Sequence, residues 1–513
     1  MILAGFMLGT FVISFALQSL LAKFFGASAT LDAYTVGNSI SFLFINWIAY
    51  GAVSIILIPV FTEYRHSGEE KTIDAANTFV SVLLIISLVV TTLCIVAAPQ
   101  IISILGRGFD APTQSLAVNL CRLIMPIFPV MVVCGILSGL LRAYERYNVT
   151  PMARCFELLP VIAALFLLGK SLGIYAVPAG MLAGALLSLA IHLYFSPGTG
   201  LRFRLRMKIR QDVVRTMLAT FLLFGVISTS KHVVFLVDRV VASYLEPGSV
   251  ALYHFASRFQ MLIVMILPMA VSIPFYTRLN QHLHAKDEEK VRSTIHHGLR
   301  LISVAIIPLV TLLVLFRIPI IELWLQHGAF SQADTLMVSS LFLFLVPSFL
   351  IEAFAPISFH IYFSMKDIKV LKVLVVIVLI EVGLNIILDF LLVQYLGLRG
   401  IALATSIAKF PMTVVGWLYI GHYMGGLRLR ALTPYLLRIV AASSCMALLV
   451  FGMDVFLLGF IGTDLLGYGL RLGILFLAGT VIYVLLCVLF RIREVTEMGG
   501  ALYNKVSGLL RSA

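Results

Sequence analysis

Charge is what this chain has least of. Only 12% of its 513 residues are Asp, Glu, Lys or Arg, about half the share in a soluble globular chain. That shortage, with no long polar segment anywhere, excludes a soluble domain of ordinary composition. Enzyme signatures are missing too. No GxxxxGK[ST] phosphate loop occurs, so coupling to a nucleotide through such a loop within this chain is excluded. There is no HExxH pair. The six cysteines, Cys94, Cys121, Cys134, Cys155, Cys445 and Cys487, all fall inside apolar runs without CxxC spacing. They read as small packing residues, not as a disulfide frame or a metal site.

What the chain has instead is apolar length: 61% of it is hydrophobic. Apolar stretches recur from end to end, each long enough to cross a hydrocarbon layer about 30 Å thick. The expected fold is an all-α polytopic membrane protein of about 14 transmembrane helices. They are expected near 2–25, 34–63, 75–97, 114–141, 151–170, 174–195, 214–243, 249–277, 294–317, 335–363, 371–393, 400–423, 434–459 and 467–490. Short interfacial helices are expected after the third and ninth spans. The first run lacks a basic start and is long for a signal peptide, so it reads as a retained span. Its abrupt apolar beginning suggests a true start further upstream.

The net charge of +13 sits in the loops. With both termini in the cytoplasm, roughly 25 of the 37 Lys and Arg fall in or beside cytoplasmic loops. The loop "GLRFRLRMKIRQDVVR" reads as a topology anchor that also suits anionic lipid headgroups. Nothing further supports nucleic acid as a partner.

The sequence also repeats. "IPVFTEYRHSGEEK" is echoed by "IPFYTRLNQHLHAKDEEK", "LGRGFDAPTQSL" by "LQHGAFSQADTL", and "LGIYAVPAGMLAGALL" by "LGLRGIALATSIAKF". The chain therefore divides into a six-helix lobe over 1–210, a second over 211–430, and two additional helices over 431–513. Two even-numbered halves enter the membrane from the same side. Such parallel repeats belong to transporters more than to enzymes or channels.

Ionisable residues inside spans are costly and mark function by default. Arg258 and Arg122 lie well inside the eighth and fourth spans, and Lys231 is mid-span in the seventh. A guanidinium offers a planar fork of donors to phosphate; the competing reading is an ion pair with an acid on another helix, with Glu352 or Glu381 for Lys231. Asn385 and Asp389 share one helix face, four residues apart. Asp238 and Thr405 fall at similar depth in the seventh and twelfth spans. These oxygens suit a hard cation, Na⁺ with protonation of an Asp as the rival. A hydrogen-bonded polar knot, with Asp238 balanced by Arg239, remains the alternative.

Stretches along nearly the whole chain carry a resemblance: "AKFFGASATLDAY", "LLRAYERYNVTPMA", "VVASYLEPGSVALYHFASR", "LQHGAFSQADT", "FSMKDIKV" and "LGLRGIALATS". They resemble the MurJ (MviN) lipid II flippases of the multidrug/oligosaccharidyl-lipid/polysaccharide exporter superfamily. The resemblance implies a bacterial inner-membrane transporter, not an enzyme. Its cargo would be an undecaprenyl-pyrophosphate-linked saccharide, lipid II, moved to the periplasmic leaflet by alternating access for peptidoglycan synthesis. Membrane lipids and other cell-envelope synthesis proteins would be its company. Arg258 and Asp32 match the family's polar residues at the substrate. Asp238, Asn385, Asp389 and Thr405 match its Na⁺ ligands, with Ile401 matching a carbonyl ligand. The last two helices would form a groove for the lipid tail. The match departs where the family carries arginines in its first two helices, since Phe11, Leu17 and Ile45 stand there. Ser257 replaces an acid. These departures leave room for another lipid-linked oligosaccharide. A cation-coupled multidrug exporter and a non-transporting envelope scaffold are the other rivals; the former would have 12 helices and no tail groove.

Overall fold

The computed structural model describes residues 2–47, 53–67, 70–196, 206–207, 212–285, 287–364, 368–424, 426–427, 429–457, 465–492 and 494–495. Among these residues there is no strand. Helix is the economical answer to an apolar solvent, because each backbone N–H and C=O finds its partner within the same segment.

The first half runs through α1 (Ile2–Phe25), α2 (Ala29–Phe44), α3 (Val53–Ser67), α4 (Glu70–Val96) and the short α5 (Ala98–Leu105). It continues with α6 (Ala111–Ile124), α7 (Ile127–Ala143), α8 (Val149–Glu157), α9 (Leu159–Leu172) and α10 (Ala176–Phe195). The second half holds α11 (Asp212–Ser243), α12 (Ser249–His284), α13 (Glu288–Leu315) and the short α14 (Arg317–Leu325). It goes on through α15 (Gln332–Ala353), α16 (Ala355–Ser364), α17 (Ile368–Leu396) and α18 (Leu398–Tyr423). The additional pair is α19 (Thr433–Leu457) and α20 (Leu465–Leu489).

Every expected span coincides with one of these helices or with two in series. The interruptions have local causes. Pro126, Pro160 and Pro356 lack an N–H and clash with the preceding turn. They fall where α6 gives way to α7, α8 to α9 and α15 to α16. α2 ends instead in a π-helical turn over 45–47. The expected interfacial helices are α5 and α14. Ten helical stretches among the described residues are long and apolar enough to cross a membrane, one of them, Val149–Phe195, long enough for two spans.

The repeat is visible in the backbone. Gly173 opens the turn before α10 with φ 55°, ψ −132°, and Gly397 opens α18 with φ 56°, ψ −136°. These are the glycines of the matched "LGIYAVPAG" and "LGLRGIALA" stretches.

Two compact units divide the chain: residues 1–254 with 327–331, and residues 255–326 with 332–513. The division differs from the expected boundary at 210, because α11 packs against α2, α3, α4 and α5. Phe221 of α11 stacks on Trp47 (5.6 Å between centroids) and meets Phe79 edge-on, while His232 stands edge-on to Phe42. α19 and α20 do not stand apart at 431 either. Ile439, Met446, Val450, Leu475 and Cys487 build one core with Leu312 and Phe316 at the end of α13.

Within the first unit, two close approaches answer each other across the repeat. Gly108, after α5, lies so near the end of α11 that an added Cβ would stand 2.2 Å from the Ser243 carbonyl oxygen. Its amide donates to Ser243 Oγ at 3.2 Å. Gly328, after α14, lies equally near the end of α1: an added Cβ would stand 2.4 Å from the Lys23 carbonyl oxygen, and φ is +63°. The neighbouring Ala329 amide donates to that same oxygen at 3.0 Å. Each half thus contributes a glycine that grips the helix end of the other.

These contacts leave no room for a methyl group. Gly108→Ala and Gly328→Ala should each lower the thermal midpoint in detergent, by about 1–3 kcal/mol or more of stability for the positive-φ site. Gly383→Ala, at a helical position with open space around it, should leave the midpoint unchanged or raise it.

Candidate functional site

Asp32 enters the first turn of α2, where Ser28 caps the helix. Its carboxylate is buried and fully engaged: Oδ2 accepts from the Gly248 amide at 2.6 Å and Oδ1 from the Ala251 amide at 2.7 Å. Those amides open α12, whose N-terminal dipole favours a negative charge. Asp32 is expected from the resemblance to serve the substrate. In this structure its carboxylate caps another helix, fixed from 216 residues away.

Asp238 is buried on α11, and the Tyr253 hydroxyl donates to its Oδ2 at 2.7 Å. The neighbouring Arg239 donates through Nη1 to Ser39 Oγ on α2. Nothing in the sequence singles out Tyr253 or Ser39. A tyrosine in an apolar span carries no signal of its own, and its pairing appears only once α11 and α12 fold back on each other. His254 lies 3.2 Å from Gln18 Oε1 of α1, a polar packing contact.

Arg122 occupies the last turn of α6, exposed at the helix surface, and its Nε donates to the Ile95 carbonyl at 3.2 Å. Lys231 belongs to α11, but its side chain lies outside the described residues. The competing ion pair read for it, with Glu352 or Glu381, therefore lies outside the described residues, while Glu352 pairs with Lys409 of α18. Beside that pair, Ser406 Oγ donates to the Phe344 carbonyl at 2.6 Å, and the Ser348 amide donates to Ser406 at 3.3 Å. Both charges lie within expected spans, and the packing of α15 on α18 decides who meets whom.

In the second unit, Arg258 sits half-buried on α12, ten residues from the start of the helix. Asn385 and Asp389 are buried on α17, Thr405 on α18. α17 and α18 form a close hairpin, which brings Asn385 Nδ2 to 3.5 Å from Thr405 Oγ1. Thr405 Oγ1 in turn donates to the Ile401 carbonyl at 3.1 Å. Asn385 Oδ1 is buried with no donor to it among the described residues. An amide oxygen, a hydroxyl and a main-chain carbonyl so gathered, with Asp389 one helical turn along α17 from Asn385, suit a small hard cation. Asp238, expected in the same set, is part of the first unit.

The family model described as lipid II flippase MurJ matches residues 21–468. The chain belongs to the MurJ family of lipid II flippases. Among MurJ relatives, a probable lipid II flippase of Thermotoga maritima is 28% identical over 504 residues, covering 96% of this chain and 97% of its own. The lipid II flippase MurJ of Burkholderia cenocepacia is 24% identical over 79% of this chain and 80% of its own. A solved MurJ structure, in an inward closed conformation, superposes with a TM-score of 0.76 at 22% identity, over 95% of this chain and 98% of that one. An inward-facing multidrug transporter of the MATE family reaches 0.68 at 16% identity, over 82% of this chain and 95% of that one.

The apolar residues that depart from the family's first-half arginines occupy ordinary helical positions. Phe11 pairs with Phe15 at 5.2 Å between centroids, Leu17 is buried, and Ile45 lies in the π-turn after α2.

Lys409 and Glu352 are both largely buried, at 13% and 17% exposure. Removing one partner strands the other charge. Lys409→Met alone should cost about 3–5 kcal/mol, read as a large drop in thermal midpoint. Lys409→Met combined with Glu352→Leu should recover most of that loss.

Proposed function

We propose that this protein carries a polyprenyl-diphosphate-linked saccharide, lipid II, from the cytoplasmic to the periplasmic leaflet of the bacterial inner membrane by alternating access, with both termini in the cytoplasm. The observation that carries the reading is Arg258. It is a guanidinium held half-buried in the interior of α12, in a chain poor in charge. A guanidinium in that place suits a phosphate oxygen pair better than any neutral cargo. The lipid tail falls to α19 and α20, which leave Leu448, Phe451, Val455, Phe456, Leu477, Leu485 and Leu489 exposed. A 12-helix drug exporter has no use for that pair.

Na⁺ is the cation we assign to Asn385, Asp389, Thr405 and the Ile401 carbonyl. When bound it supplies one positive charge inside the membrane. The membrane potential acts on such a charge with about 2.3 kcal/mol per 100 mV, enough to bias a return step. The chain's own part is to hold the oxygens together through the α17–α18 hairpin and to keep water from them. A second reading, carriage of a different lipid-linked oligosaccharide, is favoured by one observation: the apolar Phe11, Leu17 and Ile45.

Expression in cells depleted of their lipid II flippase should restore growth, and Arg258→Ala, inserted to the same level, should not. Failure of a well-inserted wild-type chain would sink the lipid II assignment and leave the oligosaccharide reading. For the ion, Na⁺ should raise the thermal midpoint of the wild type more than that of Asp389→Ala, with K⁺ as the control salt. An equal response in both proteins would remove the site.

A further inference from the structure

The short helix α14 touches both the two additional helices and α12, in every case at residues of the second unit. Toward α20 its contact is partly polar. The Tyr468 hydroxyl donates to Glu322 Oε2 at 3.0 Å. Beside that bond Leu323 lies against Gly469, where an added Cβ would stand 3.9 Å from Leu323 Cδ2. Ile320 and Leu323 pack on the core that α19 and α20 share with α13. α20 is in turn tied to α19, because Arg471, one turn beyond Tyr468, donates to Asp454 Oδ1 through Nε at 2.8 Å and Nη2 at 2.6 Å.

Toward α12 the contact is aromatic. The Trp324 ring stands edge-on to Phe259 with 5.2 Å between centroids, and Phe342 of α15 closes on the same Phe259 ring at 4.9 Å. Phe259 is 1% exposed. A ring clasped by two others fixes the roll of its helix at that turn, because core side chains sit in defined rotamers at close-packed density. Arg258 is the residue before Phe259, about 100° round the helix. The direction of its guanidinium therefore depends on how Phe259 is seated against α14. The end of α14 is held as well, since Thr335 Oγ1 of α15 donates to Gln326 Oε1 at 2.8 Å. The two contacts of α14 differ in kind. Apolar helix faces slide past one another in small shear motions. A hydroxyl bonded to a carboxylate prefers one length and direction and is stronger than a neutral pair. The Tyr468–Glu322 bond thus pins the register of α14 on α20, where apolar packing alone would let it drift.

We propose that α14 is a strut that carries the position of α19 and α20 to Arg258. Tyr468 and Glu322 at one end, with Trp324 and Phe259 at the other, are positioning residues for a ligand that joins a diphosphate to a long polyprenyl tail. The proposal rests on the roles given above to Arg258 and to the additional helices. A tail seated on α19 and α20 favours the arrangement in which Arg258 meets the diphosphate, and by linkage the diphosphate favours the seating of the tail. A diphosphate without a tail, or a tail without a diphosphate, gains nothing from the strut.

The test uses the full chain in detergent, titrated separately with undecaprenyl diphosphate, undecaprenol and inorganic pyrophosphate, with binding read by native mass spectrometry. Tyr468→Phe should weaken undecaprenyl diphosphate about tenfold, within the usual range of coupling between two sites, and leave undecaprenol and pyrophosphate unchanged. Glu322→Ala should do the same. Glu322→Gln keeps an oxygen for the tyrosine to donate to and should hold undecaprenyl diphosphate as the wild type does. Trp324→Leu removes the ring that seats Phe259, so it should weaken pyrophosphate as well as undecaprenyl diphosphate. Unchanged undecaprenyl diphosphate affinity in Tyr468→Phe, with Arg258→Ala impaired for both phosphate ligands, would overturn the strut and leave the head-group contact standing. An equal loss of undecaprenol in Tyr468→Phe would also overturn it, because the bond would then only shape the tail's seat. So would an equal loss of all three ligands, the mark of a generally loosened fold. Unchanged pyrophosphate affinity in Arg258→Ala is a separate result, which retires the head-group contact itself.

Discussion

The hydrocarbon layer contains no water, so every polar atom placed there must find its partner in protein. That single constraint runs through the whole structure. It makes the chain helical, because helix satisfies the backbone without outside help. It also fixes how the few intramembrane charges are held. Asp32 takes two amides at the start of α12, Lys409 takes Glu352, and Arg471 donates to Asp454 through Nε at 2.8 Å and Nη2 at 2.6 Å. Each of these contacts crosses from one helix to another, so meeting the polar requirement also fixes how the helices are arranged.

Duplication gives the arrangement its logic. A glycine after α5 grips the end of α11, and its repeat counterpart after α14 grips the end of α1. Since each half holds the other's helix end, the compact units do not follow the repeat boundary. α11 and the first turns of α12 go with the first half, as do residues 327–331 of the second. Asp32 serves the same closure, because the helix it caps belongs to the other repeat. An acid at a span start therefore has a use in the fold itself.

The candidate site follows from the same physics. The α17–α18 hairpin gathers an amide, a hydroxyl and a carbonyl, with Asp389 one turn along α17, because adjacent helices joined by a short turn must pack along their length. Asn385 and Asp389 could be placed together from their four-residue spacing alone, and Thr405 from the hairpin. By contrast, the partner of Lys409 could not be read from spacing. The choice depends on which helix faces meet, here those of α15 and α18.

By itself the sequence determined the helical class, the positions of the spans, the duplication and the two additional helices. Those properties depend on apolar length, on proline and on local repeats, all of which are readable along one chain. The residues resembling a flippase were legible there too. Only the tertiary structure decided the grouping of α11 with the first half, the packing of α19 and α20 on α13, and the partners of Asp32, Asp238, Arg239 and Lys409. Each of those depends on contacts between residues far apart in the chain, where composition says that a partner is required and packing alone says which one it is.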